Sequence, residues 1–321
     1  MALQILLEQV APASRTHPRI REMLLDSATA DLHPIFARRQ WKCSDSDFLK
    51  ISPALLLASR LLTSPKSMHY WHAMLFGPRR IEIVESVALT VFSCAHDDRI
   101  PLIEAEAQKV HQALEQLTNH ITLSIADVEG CHGVTRAGRN IGPHTLGVEA
   151  STTLNAGHVR GLNFSTTHEL LRTWTTVAVT MCHEVAHAMN LCYWGTPFLY
   201  PHPEPFFDDG VHELGIVHNH ICGYKLVSEQ GWNWTRYTLG GTVDTLDGIE
   251  LRIDEVPSRR NVDADFQITV GWGGAITCGC RPGMGPGVAD DTWVENLFMK
   301  SFWDTEVPST NGMALMAVRA K

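Results

Sequence analysis

The chain has 321 residues, of which 44% are hydrophobic and 19% charged, and a formal net charge of -9. That is an ordinary globular composition with room for one large or two modest domains. An acidic balance without a basic block argues against nucleic acid or an anionic membrane as the main partner.

Met1 to Val10 lacks the basic start and long apolar run of a secretory signal, and Glu8 interrupts it early. The expected compartment is therefore the reducing cytoplasm. There the eight cysteines, at 43, 94, 131, 182, 192, 222, 278 and 280, would be free thiols. None forms a CxxC pair, and Cys278 and Cys280 are poorly spaced for a structural zinc knuckle.

Helices are expected over Thr16 to Asp26 and Asp47 to Leu62, and a strand over 81–93. Pro101 opens a helix to about Asn119, and Ile121 to Val128 reads as a second strand. Residues 145–155 are the clearest strand. Leu146, Val148, Ala150, Thr152 and Leu154 alternate with Thr145, Gly147, Glu149, Ser151, Thr153 and Asn155. An ordinary half-buried sheet strand is the preferred explanation. The functional alternative is that this strand binds an extended substrate by strand addition.

Next comes a helix of about 167–192, opened by a capping box at Thr166-Thr167-His168-Glu169 and stopped by Gly195 and Pro197. Its last third carries His183-Glu184-Val185-Ala186-His187. Two histidines four apart lie on one helix face, a turn apart, so both rings can reach one ion. The intervening glutamate can act on a water held there. Between Thr173 and Cys192 the only charge is Glu184, and burying a lone carboxylate is costly unless it is paired or coordinated. The segment is long enough to suggest a membrane span, but its four threonines and the His-Glu-His cluster argue against one. Cys182 projects about 100° away from His183 around the helix and reads as core.

Beyond the motif, Asp208 or Asp209 can cap a helix to about Cys222, with Gly223 as its stop. Asp247-Gly248 joins strands Thr242 to Leu246 and Ile249 to Ile253 in a hairpin. Phe266 to Trp272 reads as a further strand, Arg281 to Gly287 as a loop, and Asp291 to Trp303 as a final amphipathic helix.

A catalytic zinc site needs three protein ligands and one open position. A third His six residues after the second, preceded by a Gly, is ruled out because Asn190 and Tyr193 hold those places. An Asp from a Gly-Thr-x-x-Asp stretch is approached by Gly241-Thr242-Val243-Asp244, one residue short and inside the expected hairpin. A Glu on the following helix is the third option, met by Glu213, 26 residues after His187. His212 is its main rival. His218 is five residues from Glu213, about 140° around the helix, so both do not easily face one ion. Glu204, between two prolines, reads as an exposed loop carboxylate.

HExxH, a connection and then a helical Glu resembles the gluzincin class of zinc metallopeptidases, over about residues 165–223. The resemblance implies zinc held by His183, His187 and Glu213, with Glu184 as general base. Many gluzincins carry an Asp four residues after the ligand Glu. Here that position is Val217, so the histidines must be oriented by other groups, with Asn190, Asp208 and Asp209 as candidates. The stretch Pro203-Glu-Pro-Phe-Phe-Asp-Asp209 with Glu213-Leu-Gly215 also resembles a group of fungal zincin-like proteins, which implies no reaction.

The expected fold is α+β and zincin-like. Residues 1–65 form a helical segment packed on the catalytic domain. Residues 66–195 form an upper lobe with a mixed sheet and the HExxH helix, and 196–321 a more helical lower lobe carrying the third ligand. The expected function is zinc-dependent hydrolysis of a peptide or small-molecule amide by a metal-activated water. Tyr193, Tyr224, His218 and His220 are available as oxyanion donors. Two alternatives remain open. One is a non-proteolytic metal enzyme of small-molecule biosynthesis, for which Fe(2+) also suits the ligand set. The other is a non-catalytic binding protein with a vestigial site.

Overall fold

The computed structural model describes residues 32–84, 87–94, 99–129, 131–140, 148–160, 167–194, 205–208, 230–240, 242–246, 250–254, 268–270, 276–278, 287–288 and 291–316, together with 22, 26 and 162. The chain is an α+β protein with mixed sheets. Among the described residues no helix is long and apolar enough to cross a membrane.

Strand β1 (Trp41–Lys42) leads into helix α1 (Asp45–Leu62). The Ser44 hydroxyl accepts the Asp47 N–H at 3.0 Å, and Asp45 and Asp47 place negative charge in the first turn. Helix α2 (Pro65–Phe76) follows almost at once, with Ser64 as cap and Pro65 in its first turn. Ten of its residues are buried, from Lys66 to Leu75, so it lacks the polar face that marks an amphipathic helix.

The stretch 81–93 folds as two antiparallel strands, β2 (Arg79–Val84) and β3 (Val87–Ser93), where a single strand was expected. Helix α3 (Glu104–Leu117) and strand β4 (Ile121–Ala126) fall inside their expected ranges. Two further strands, β5 (Gly133–Asn140) and β6 (Val148–Asn155), and a short helix α4 (Ala156–Arg160), lead towards helix α5 (Thr167–Trp194).

The four-stranded sheet has the order β1-β4-β6-β5. β4 runs parallel to both β1 and β6, whereas β5 is an antiparallel edge strand paired with β6. Along β6 the expected alternation holds: Val148, Ala150, Thr152 and Leu154 are buried, while Glu149 and Ser151 are exposed. Helix α5 packs against both β5 and β6. The position of β6 corrects its functional reading. With β4 on one side and β5 on the other, it has no free edge for a substrate strand.

α5 is the centre of the core. Trp174, Val177, Ala178, Met181, Cys182, Val185, Ala186, Met189 and Cys192 are all buried, each large apolar side chain contributing about 1.5–3 kcal/mol. α1 lies along it, with the Trp174 indole donating to the Lys50 carbonyl at 3.0 Å and the Cys182 thiol to that of Ala58 at 3.3 Å.

On another side of α5 packs helix α6 (Gln230–Leu239), fastened to α2. The Tyr70 hydroxyl bonds Gln230 Oε1 at 2.6 Å and the Trp234 indole donates to Ser67 Oγ at 3.0 Å. The Trp71 and Trp234 rings stack with centroids 6.2 Å apart. The Gln230 amide also donates to the Pro205 carbonyl, just before strand β7 (Phe206–Asp208), which adds parallel to β3.

The expected hairpin is present as β8 (Thr242–Leu246) and β9 (Glu250–Asp254). β10 (Ile268–Val270) lies within the expected 266–272 strand and pairs with β11 (Ile276–Cys278), and β12 (Gly287–Val288) pairs with β9. Helix α7 (Asp291–Leu297) stops short of the expected Trp303, and further helical turns follow at Phe302–Glu306 and Val307–Ser309. α7 is tied to α5 by Arg172–Asp291 at 2.6 Å. The expected helix at Thr16 to Asp26 lies outside the described residues except for Glu22 and Asp26, both helical. That at 209–222 lies outside them altogether.

Candidate metal centre

α5 brings the two motif histidines together. Both side chains are half-buried, with ring centroids 5.0 Å apart and Nε2 atoms separated by 3.3 Å. Two nitrogens bound at about 2.0–2.1 Å to one tetrahedral ion lie about 3.3–3.4 Å apart. The same separation lets one neutral imidazole donate to the other, so the pair is poised for either partner.

Glu184 is only 4% exposed, and among the described residues its Oε2 has no hydrogen-bond partner. Its backbone carbonyl accepts the Thr135 hydroxyl of β5 at 3.1 Å, and that hydroxyl also lies 2.7 Å from Thr152 Oγ1 of β6. Gly133 lets β5 come this close. A Cβ there would stand 2.9 Å from Thr180 Cγ2 and 3.1 Å from Glu184 Oε1.

The opposite approach is closer still. Gly231, in the first turn of α6, lies against the His183 imidazole, and a Cβ at that position would overlap the ring. Strand and helix thus close on the Glu184 and His183 side chains through glycines, and neither was marked as functional by the sequence. Both lie in stretches without motif spacing, Cys131-His-Gly-Val-Thr135 and Gln230-Gly-Trp-Asn-Trp234. The contact exists only in three dimensions.

The arrangement suits a divalent cation on three counts. The nitrogen separation matches a tetrahedral edge, the buried carboxylate has an oxygen without a partner, and the His183 ring sits in a cradle that a single methyl would fill. Among the described residues no third His, Cys, Asp or Glu completes a ligand set. Glu213 and His212, the expected third ligand and its rival, lie outside the described residues, as do Glu204, Asp209, His218, His220 and Tyr224.

Several expected roles are displaced. Asp208 ends β7 and pairs with Arg80 at 2.5 Å, and the helix it was expected to cap lies outside the described residues. The Tyr193 hydroxyl donates to the Ala113 carbonyl of α3 at 2.7 Å and meets Gln116 Oε1 at 3.2 Å. It anchors the end of α5 and is not presented to the motif as an oxyanion donor. Burial raises its pKa to about 12. Asp244 lies in β8, opposite Arg252. Asn190 occupies the same face of α5 as the two histidines, three residues beyond His187. It is fully buried, and among the described residues neither Oδ1 nor Nδ2 has a hydrogen-bond partner. A buried amide without partners is uncommon and marks a place for a water or a polar group.

Cysteine chemistry is quiet around the motif. Cys43, Cys94, Cys131, Cys182 and Cys192 form no disulfide among the described residues. Burial pushes the Cys182 thiol well above its ordinary range and that of Cys192 up to about 12. The Cys131 thiol is raised by burial and then by the Glu184 charge, with Arg136 opposing. A protonated thiol is a poor nucleophile and a poor metal ligand.

No family model, curated protein or solved structure matches the chain.

Proposed function

We propose that the protein is a zinc-dependent hydrolase on a zincin-like frame, cleaving a peptide or amide bond. His183, His187 and Glu213 would hold the ion, and Glu184 would be the general base. The observation that carries this reading is the 3.3 Å separation of the two Nε2 atoms beside a buried carboxylate with one unpartnered oxygen. A bound zinc supplies Lewis acidity and lowers the pKa of a coordinated water from about 15.7 to about 7.

The chain supplies the rest. Glu184 takes the proton of the attacking water and returns it to the leaving nitrogen, which suits an oxygen that no protein donor occupies. Gly133 and Thr135 hold β5 beside that carboxylate, and Gly231 backs the His183 ring. Among the described residues it is β5, not β6, whose outer side no strand pairs, and an extended substrate would lie there. An antiparallel edge strand beside the motif helix supports the zincin-like frame, and five free cysteines are consistent with a cytoplasmic setting.

The test is a peptide-library digest by the purified protein, with and without a chelator, alongside metal analysis. Chelator-sensitive cleavage with one equivalent of bound zinc is expected. A zinc-loaded protein that leaves every peptide and amide intact would remove the hydrolase reading.

A further inference from the structure

β5 pairs with β6 along one side, and among the described residues no strand pairs with the other. Such an edge offers a row of backbone N–H and C=O groups to a second extended chain. Because a Cβ on Gly133 would stand 3.1 Å from Glu184 Oε1, a chain laid along this edge passes the motif.

Side chains alternate along the strand. Gly133 and Thr135 face α5, as their contacts with Glu184 demonstrate. Arg136 is out of phase with them, and its side chain is exposed on the outer side of the sheet. At the rise of a strand it stands about 10 Å beyond Gly133.

Among the described residues Arg136, like Arg39 and Arg79, is an arginine without a carboxylate partner. Arg38, Arg60, Arg80, Arg160 and Arg172 each pair with a carboxylate of the chain. Arg136 lowers and Glu184 raises the pKa of the Cys131 thiol, so both charges act on one neighbour. In a chain of net charge -9, an unpaired cation on a free edge complements an anionic ligand.

We propose, on the hydrolytic reading of the site, that Arg136 selects extended acidic peptides. The peptide adds to the free edge of β5 and places an Asp or Glu beside the guanidinium, within about four residues of the bond that lies at Glu184. Arg136 is a specificity-determining residue and takes no part in the proton transfers.

The experiment is fluorescence anisotropy with Glu184→Gln protein supplemented with zinc. The probes are short labelled peptides that differ only in carrying an Asp, Asn or Lys pair. The Asp peptide should bind about two- to five-fold more tightly than the Asn peptide, the range of a partly exposed ion pair. Adding Arg136→Ala should abolish the difference, and adding Arg136→Glu should shift the preference to the Lys peptide. The same order of affinities in all three proteins, or no binding of any peptide, overturns the proposal. Wild-type digestion separates the two ideas. Cleavage indifferent to Arg136→Glu removes the role of Arg136 alone. Charge-selective binding without any cleavage removes the hydrolase reading and leaves that role standing.

Discussion

Gly231 lies against the imidazole of His183, so close that a methyl group on Gly231 would overlap the ring. The contact couples the start of α6 to the first motif histidine, and it makes the backbone of one helix the wall of a side-chain site on another. Gly231→Ala should displace either His183 or the first turn of α6. Zinc affinity, measured by competition with a chelating dye, is expected to fall about 10–100-fold, as when the support of a ligand histidine is lost. The metal-free protein should also lose about 1–3 kcal/mol in urea unfolding from overpacking. Unchanged affinity would mean that His183 does not bind where it now stands.

Glu184→Gln separates the carboxylate's chemistry from its packing. The amide is nearly isosteric, and the carboxylate it replaces leaves one buried oxygen without a partner. Metal content should be retained and turnover should fall by about 10²–10⁴-fold, the usual worth of a general base. The metal-free variant should unfold at no lower temperature than the wild type, because a buried charge is removed. Full activity in this variant would end the general-base assignment.

Thr135 tests whether β5 is a fixed wall. Its hydroxyl donates to the Glu184 carbonyl and also lies within hydrogen-bond distance of Thr152 Oγ1, two polar groups that valine leaves unmatched. Thr135→Val is expected to cost about 1–3 kcal/mol in chemical denaturation. Amide exchange along β5 should quicken while that of β4 stays unchanged. A neutral substitution would show that the strand is held by its pairing with β6 alone.

The elements around the motif differ in how plainly they can be read. Helix α5 is announced by an apolar run without Gly or Pro, and β6 by strict alternation; both emerge within a few residues of their expected bounds. β5 is hidden because Thr135-Arg-Ala-Gly-Arg-Asn140 is polar and carries a glycine, as suits an edge strand exposed on one side. α6 is hidden for another reason. Asn, Thr and aromatic residues are weak helix formers, and its helix is held by tertiary contacts with Tyr70, Ser67 and Trp71. Between β2 and β3 the sequence has neither Gly nor Asn, so no local residue signals their antiparallel pairing. Of the expected site, the motif pair is present on one helix face, whereas the glycine contacts depend on distant segments that no local pattern joins.

His33 supplies a pH dependence unrelated to the metal. Burial, followed by the charge of His111, lowers its pKa from 6.5 to about 4. The folded state therefore prefers the neutral ring. That contribution is fully present above pH 6.5 and is lost as pH falls towards 4. His33→Asn keeps an acceptor for the Ile35 N–H and should flatten this part of the stability profile, measured in metal-free protein to exclude the motif histidines. An unchanged acid limb would assign the effect to other groups.

Buried thiols act at the other end of the scale. The folded state resists ionisation of Cys192 up to about pH 12, whereas an unfolded cysteine ionises near 8.5. Stability should decline as pH rises between those values, and Cys192→Ser should shift that decline. At neutral pH, Cys182 and Cys192 should react with iodoacetamide only when the protein unfolds. Fast labelling in the folded state would contradict their burial.

The most direct measurement is zinc stoichiometry with zinc-edge X-ray absorption, on the wild type and on His183→Ala and His187→Ala. One zinc per chain is expected, with nitrogen neighbours at about 2.0–2.1 Å that include two imidazoles, and loss of that zinc in either variant. A wild-type protein that binds no metal, or a zinc that survives both substitutions, would contradict the pairing of His183 and His187 around one ion.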